Sequence, residues 1–259
     1  MPDTSGKLEA MNYYLLMMGG SGTRFGNSRP KQYTEIDNAP LFSYIIAKAD
    51  TIAAIDHIVI VSNRDWLDYV EQWAKKTIVC KTYQIVEGGG NRSQSVKNGL
   101  CAIANQAKHE DVVMIHDATH PYVDEEGITQ IIEAVQTYGG ATLASKNYDT
   151  VYRTDAEGML EKVEAREYIV AGASPEAFRF GDIYPIYMES SEEKLAAMTS
   201  AGAIALDHHI PMKVVPAKVL NLKITYPRDM ELFLNLIHTY FFPGIREEEK
   251  GEGVECRIR

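Results

Sequence analysis

The sequence predicts an α/β domain: a mostly parallel sheet flanked by helices on both faces, with a protruding β-arm. Three observations predict it. Short apolar, β-branched runs alternate along the chain with segments whose apolar residues recur at helical spacing. That rhythm breaks once, between Lys146 and Val170, where the residues turn polar and β-prone. Finally, 259 residues with 45% apolar and 24% charged side chains suffice to bury a core without disulfides or structural metals.

Each element follows from local pattern. Asn12–Met18 (NYYLLMM) is a continuous apolar run ending in glycines, hence a buried strand. Leu41–Thr51 has helical spacing, and His57–Ser62 (HIVIVS) is a short β-branched strand. Trp66–Lys75 reads as a helix, and Tyr83–Val86 as a strand entering Gly88-Gly89-Gly90. Arg92–Ala107 is helical, with Val96, Leu100, Ile103 and Ala104 on one face. Val112–Ile115 is a strand, Gly127–Tyr138 a helix and Ala141–Ala144 a strand. In the polar stretch 146–170, Asp155–Gly158 is the turn of a hairpin that forms the arm. Helical pattern resumes at Ile183–Met188 and Glu192–Ala201, followed by a strand at Met212–Val215 and a last helix at Asp229–Tyr240. One domain over 11–242 is expected, with 243–259 a charged, mobile tail.

Charge and cysteine usage narrow the function. Lys and Arg total 26 against 36 Asp and Glu, a formal net charge of −10. A nucleic-acid binder needs a broad basic face, so that class is excluded, whereas a small anion in a locally basic pocket is not. Apolar runs stop far short of the roughly twenty residues that span a bilayer, and the polar start shows no signal peptide. Cys80, Cys101 and Cys256 lack C-x-x-C spacing and suit free thiols in a reducing compartment, with Cys80 and Cys101 read as small core residues. The expectation is a soluble, cytoplasmic protein.

The first motif with chemistry is Gly19-Gly20-Ser21-Gly22-Thr23-Arg24-Phe25-Gly26, directly after the first strand. Glycines there let backbone N–H groups converge on phosphate oxygens. It is not a P-loop, for the Gly-Lys-Ser/Thr is missing, nor a dinucleotide loop, for Phe25 stands at the third glycine position. Arg24, Arg29 and Lys31 fall within eight residues, a concentration of cations that a polyphosphate site wants. His116, Asp117 and His120 invite a zinc reading, but a strand end followed by Pro121 does not give two histidines four apart a common face. Asp207-His208-His209 reads as a surface turn, and Arg153 and Arg166 as either solvated or functional arm charges.

GGSGTRFGNSRPKQY resembles the signature loop of the cytidylyltransferases that act on polyol phosphates, the 2-C-methyl-D-erythritol 4-phosphate / ribitol-5-phosphate cytidylyltransferase family. Gly20-Ser21-Gly22-Thr23-Arg24 and Pro30-Lys31-Gln32-Tyr33 stand for its G-x-G-x-R and P-K-Q-[YF]. Gly88 to Val96 resembles G-G-x-x-R-x-x-S-V, and His116-Asp117-Ala118 with Pro121 resembles H-D-A-x-R-P. Asp149-Thr150 and Asn221-Leu222-Lys223-Ile224-Thr225 resemble the D-T and N-x-K-I-T blocks. The resemblance runs from about Asn12 to Tyr240.

The resemblance implies a Rossmann-like nucleotidyltransferase fold and transfer of CMP from CTP to an alditol phosphate, with pyrophosphate released. It implies Arg24 and Lys31 on the triphosphate and Lys223 on the α-phosphate and acceptor, these three being the catalytic set. It implies Met18, Gly19, Gly20, Ser21, Gly22, Thr23, Gly89, Arg92 and Ser95 around CTP, and Asp117, His120, Thr150, Arg166 and Thr199 around the acceptor. Mg²⁺ bridging the phosphates is implied as cofactor, with no dedicated protein metal site. A homodimer is implied through the arm, Arg166 completing the neighbouring site. The CDP-alditol product belongs to isoprenoid precursor or to wall or capsule polymer synthesis.

Departures from the pattern cluster on the acceptor side. His120 stands for the arginine of H-D-A-x-R-P, Ser174-Pro175-Glu176 for T-P-Q, and Thr199-Ser200-Ala201-Gly202 for T-D-[DE]-A. Gly90 replaces a frequent Asp, and Met17 and Met18 replace small residues. Two readings follow: an altered acceptor, or a CTP-binding relative with a regulatory or assembly role and no catalysis. Retention of both Lys31 and Lys223 favours the enzyme.

Overall fold

A computed structural model describes residues 10–20 and 29–241. Ser21, Gly22, Thr23 and Arg24 of the first loop and the tail expected over 243–259 lie outside the described residues.

The strands are β1 (Asn12–Met18), the short pair β2 (Glu35–Ile36) and β3 (Ala39–Pro40), β4 (His57–Ser62), β5 (Thr82–Glu87), β6 (Val112–Asp117) and β7 (Gly140–Lys146). They continue with β8 (Tyr152–Thr154), β9 (Leu160–Val163), β10 (Val170–Arg179) and β11 (Met212–Pro216). The helices are α1 (Leu41–Thr51), α2 (Leu67–Thr77), α3 (Arg92–Ile103), α4 (Glu125–Tyr138), α5 (Phe180–Glu189), α6 (Glu192–Ala197), α7 (Ala201–Asp207) and α8 (Pro227–Phe241). The main sheet has the order β11-β7-β10-β6-β1-β4-β5. β1, β4, β5 and β6 run parallel, as do β7 and β11, while β10 runs antiparallel between β6 and β7.

β1 shows why the sheet is covered on both sides. Tyr14, Leu16 and Met18 pack with α1, α2 and α4, whereas Tyr13, Leu15 and Met17 pack with α3, α5, α6 and α7. Alternate residues of one strand thus feed two cores, and the run reads as continuously apolar. A third cluster joins Met230, Phe233 and Ile237 of α8 to Leu41, Tyr44, Leu222 and Ile224, which fastens the Lys223 segment to the domain. Among the described residues no helix is long and apolar enough to cross a membrane.

The arm forms as expected: β8 and β9 pair antiparallel around the Asp155–Gly158 turn. Four expectations change. β10 is a central strand that the sequence hid, because Pro175 offers no N–H to a ladder. The structure accommodates it with a register shift between Gly172 and Glu176. The helix expected over Glu192–Ala201 divides, since Ser200 Oγ accepts from Ala203 N at 3.0 Å and starts α7 afresh. α3 ends at Ile103 rather than Ala107, the chain turning there toward Asp111, whose Oδ2 takes Lys108 N at 2.8 Å. Cys80 and Cys101 are exposed, not core residues.

Candidate functional site

β1 has β4 on one side and β6 on the other, so connections leave its C-terminal end in opposite directions and open a crevice there. A cleft of about 550 Å³ occupies it. Met17, Met18, Gly19 and Gly20 follow β1; Asp117, Ala118 and Thr119 follow β6; Gly89, Gly90 and Asn91 lead into α3 at Arg92 and Ser95. Lys31, Gln32, Asn63 and Lys223 complete the lining. Of the expected CTP residues that are described, Met18, Gly19, Gly20, Gly89, Arg92 and Ser95 all meet here, with Lys31, Lys223 and Asp117.

The glycine-rich walls are built around Ser95. Its Oγ accepts from Gly89 N at 3.0 Å and donates to Asn91 O at 2.9 Å. A Cβ on Gly19 would lie 2.8 Å from that Oγ, and one on Gly89 would lie 2.4 Å from Gln94 Cβ. Among the described residues no heavy atom lies within 4 Å of a would-be Cβ on Gly20, which lines the cleft. Gln32, buried, donates its amide to Met18 O at 2.9 Å and Gly20 O at 2.8 Å, closing the neck of the loop. Its place in the P-K-Q block was the only sequence signal for that role.

Charge in the cleft is arranged as a row. Asp117 Oδ1 meets Arg92 Nε at 2.9 Å and Asp117 Oδ2 meets Lys223 Nζ at 3.5 Å. Burial pushes the Asp117 carboxyl up, but Arg92 and Lys223 outweigh it and hold it below the usual carboxylate range. Lys31 Nζ donates to Ile224 O, and Ile224 N to Thr119 O at 2.8 Å, so the strap that carries Lys223 is tied to the end of β6 and holds Lys31 beside it. Asp117 therefore arrives as the partner of two cations.

Several expected residues are elsewhere. Arg29 does not line the cleft: it pairs with Glu35 at 2.9 Å and lies 5.4 Å from the Trp66 ring centroid and 5.6 Å from that of Tyr69. Cation–π contact with two aromatic rings and the ion pair with Glu35 explain the departure, a use of arginine that loop composition cannot separate from phosphate binding. His120 is buried behind the cleft, facing a cavity of about 10 Å³ with Tyr122, Ser174 and Asn221. Burial, with the neighbouring His116, Lys223 and Arg92, pushes its imidazole down to about 3, so it is neutral near pH 7. His116, wholly buried and held at about 4 by burial, donates Nε2–H to His120 O at 2.8 Å. That bond pins the strand end and engages His116 Nε2 with main chain; among the described residues no group of three or more His, Cys, Asp or Glu could hold a metal. Thr150 and Arg166 are exposed at the arm, Arg166 Nη1 donating to Tyr148 O at 2.5 Å, and Thr199 is exposed in the turn before α7. None of these three lines the cleft of this chain.

The family model described as IspD: 2-C-methyl-D-erythritol 4-phosphate cytidylyltransferase matches residues 13–237. The chain is 31% identical over 230 residues to a ribitol-5-phosphate cytidylyltransferase of Vibrio parahaemolyticus, covering 88% of this chain and 97% of the relative. It is 35% identical over 222 residues to a 2-C-methyl-D-erythritol 4-phosphate cytidylyltransferase of Thermotoga neapolitana, covering 86% and 95%. In fold it is similar to the 4-diphosphocytidyl-2C-methyl-D-erythritol synthase of Anaerococcus prevotii, with a TM-score of 0.74 at 23% identity, covering 88% of this chain and 99% of that one.

Proposed function

The chain belongs to the IspD family of 2-C-methyl-D-erythritol 4-phosphate cytidylyltransferases, and from that premise we propose how its cleft works. It is a nucleotidyltransferase that moves CMP from CTP to the phosphate of a phosphorylated alditol. An acceptor phosphate oxygen attacks the α-phosphorus, the bond to the bridging oxygen breaks, and pyrophosphate leaves with the electron pair. Such a transfer needs positioning and charge neutralisation more than covalent chemistry.

The observation that carries this is the meeting of Lys31, Arg92 and Lys223 with a glycine-lined crevice in a chain of net charge −10. Backbone around Gly19, Gly20 and Gly89 gives the nucleotide close approach. Lys31 and Lys223, joined through Ile224 and Thr119, neutralise the triphosphate and the entering acceptor. Arg24, in the same sequence motif as Lys31, is assigned to the triphosphate on the resemblance. Asp117, held between Arg92 and Lys223, directs Lys223 at the phosphates and faces the acceptor. His120, neutral where the family pattern has arginine and buried behind the cleft, takes a positive charge away from that side, which suits an acceptor with uncharged hydroxyls near it.

Mg²⁺ enters with CTP as part of the substrate. With Arg92 on one oxygen of Asp117 and Lys223 on the other, the cleft carboxylate does not fit as a cation ligand. The chain's own part is therefore carried by its cations.

The functional unit we propose is a homodimer. Tyr148 and Tyr168 are each 82% exposed and Met159 68%, an apolar load on the arm that a second copy would cover, bringing Arg166 and Thr150 to its cleft. Sedimentation velocity should give twice the 29.0 kDa chain mass; a monomer with full activity would refute it. Exposed free Cys80 and Cys101 support a reducing, cytoplasmic setting.

The acceptor is set by assay: pyrophosphate release from CTP, and from UTP, with methylerythritol 4-phosphate, ribitol 5-phosphate, glycerol phosphate and sugar phosphates. Release with CTP and one alditol phosphate is expected. CTP binding without release for any acceptor would replace the enzyme by a non-catalytic binding protein.

A further inference from the structure

Behind Arg92 stands a second carboxylate, away from the cleft lining. Glu176, on β10 just past the register shift, has a side chain only 15% exposed. Its Oε1 accepts from Gly202 N at 2.8 Å and its Oε2 from Ala201 N at 3.0 Å, so two backbone donors of α7 fix it in place. The same Oε2 lies 3.5 Å from Arg92 Nη2, while Arg92 Nε is held by Asp117 Oδ1 at 2.9 Å. The guanidinium is bracketed by two anions at separate nitrogens, one of them immobilised by main chain.

We infer that Glu176 is a positioning residue for the transfer reaction, acting through Arg92 on Asp117 and Lys223. A long side chain with several rotatable bonds stays in one geometry only when more than one partner fixes it. With Glu176 in place, Nη2 is occupied, Arg92 can offer Asp117 only its Nε edge, and Asp117 Oδ2 stays directed at Lys223. Without that anion, Arg92 rotates to take both oxygens of Asp117 in a fork, the commoner arrangement for an isolated pair. Asp117 is then withdrawn from Lys223 and from an incoming acceptor. The sequence pattern gives the position a further meaning: the family block reads T-P-Q, so here a neutral amide is replaced by a fixed negative charge. Glu176 and the neutral His120 change the acceptor side in the same direction, toward lower positive charge.

The inference rests on the proposed transfer reaction, and its test separates the two. Steady-state kcat/KM for the acceptor, with CTP saturating, would be measured for the wild type, Glu176→Gln, Arg92→Gln and the double variant. Gln preserves shape and one acceptor for α7 while removing the charge. Glu176→Gln should lower kcat/KM about tenfold, yet change it less than about twofold in the Arg92→Gln background, the non-additivity expected of groups acting in series. A purely structural role for Glu176 under α7 would give the same factor in both backgrounds, and that result, or no loss in the single variant, would overturn the inference. A wild type that releases no pyrophosphate would overturn the reaction and the inference together.

Discussion

Asp117→Asn should make the protein less stable and its hold on CTP stronger. The carboxylate lies 2.9 Å from Arg92 Nε and 3.5 Å from Lys223 Nζ, with side chains 18%, 30% and 53% exposed respectively. At an effective dielectric of about 20, each attraction is worth about 5 kcal/mol before desolvation, which cancels most of it. Removing one partner of a fully buried pair costs about 3–5 kcal/mol. Partial exposure of Arg92 and Lys223 brings the expected loss to about 2–4 kcal/mol, because water reaches both cations. The same two cations are then uncompensated until an anion arrives, so a triphosphate binds more tightly to the variant. Urea unfolding with and without CTP measures the first effect, and isothermal titration calorimetry the second. The stability deficit should shrink when CTP is present, through linkage of binding to folding. A loss below about 0.5 kcal/mol, or CTP affinity weakened tenfold, would refute the charge-row reasoning.

Acid should destabilise the fold earlier than carboxylate titration alone would. His116 is held at about 4 and His120 at about 3, against an ordinary value of 6.5. Below pH 6.5 the unfolded chain takes up protons that the folded chain refuses, so the stability present above 6.5 drains away as pH falls toward 4. His116 alone accounts for about 3 kcal/mol across that window. Urea midpoints from pH 7.5 to 4.5 should fall accordingly, and a His116→Asn variant whose midpoints fall as steeply would contradict the assignment. Lys31→Ala should lower turnover about 10²–10³-fold with the fold retained by circular dichroism; unchanged turnover would remove the strap from the mechanism. Asp50, 3% exposed, accepts from Val79, Cys80 and Lys81 N–H groups at 2.9–3.1 Å. Asp50→Ala should therefore cost about 2–4 kcal/mol while leaving kcat near wild type, and equal urea midpoints would refute it.

The sheet was legible wherever burial wrote a simple pattern. β1, α1 and β4 fall on the predicted residues, because strands buried on both faces and a helix buried over most of its surface are written locally as apolar runs. β10 was not legible, since its place depends on β6 and β7 accepting a bulge beside Pro175, a non-local event. The site divides in the same way. Gly19 and Lys31 were readable because glycines and cations in one loop carry their chemistry with them, whereas Gly89, Arg92 and Lys223 were reached through the resemblance of their blocks to the family. Arg29 was misleading and Glu176 silent, because what each does is decided by partners far away in sequence: Trp66 and Tyr69 for one, Arg92 and the first turn of α7 for the other.

The central claim is that the cleft joins a cytidylyl group to an alditol phosphate. Incubating the chain with Mg²⁺, CTP and either ribitol 5-phosphate or methylerythritol 4-phosphate, and weighing the products by mass spectrometry, tests it directly. The account predicts a CDP-alditol and pyrophosphate in equal amounts, with formation abolished or reduced at least about 10²-fold in Lys31→Ala. CTP recovered intact beside every acceptor, by a protein that nonetheless binds it, would contradict the account.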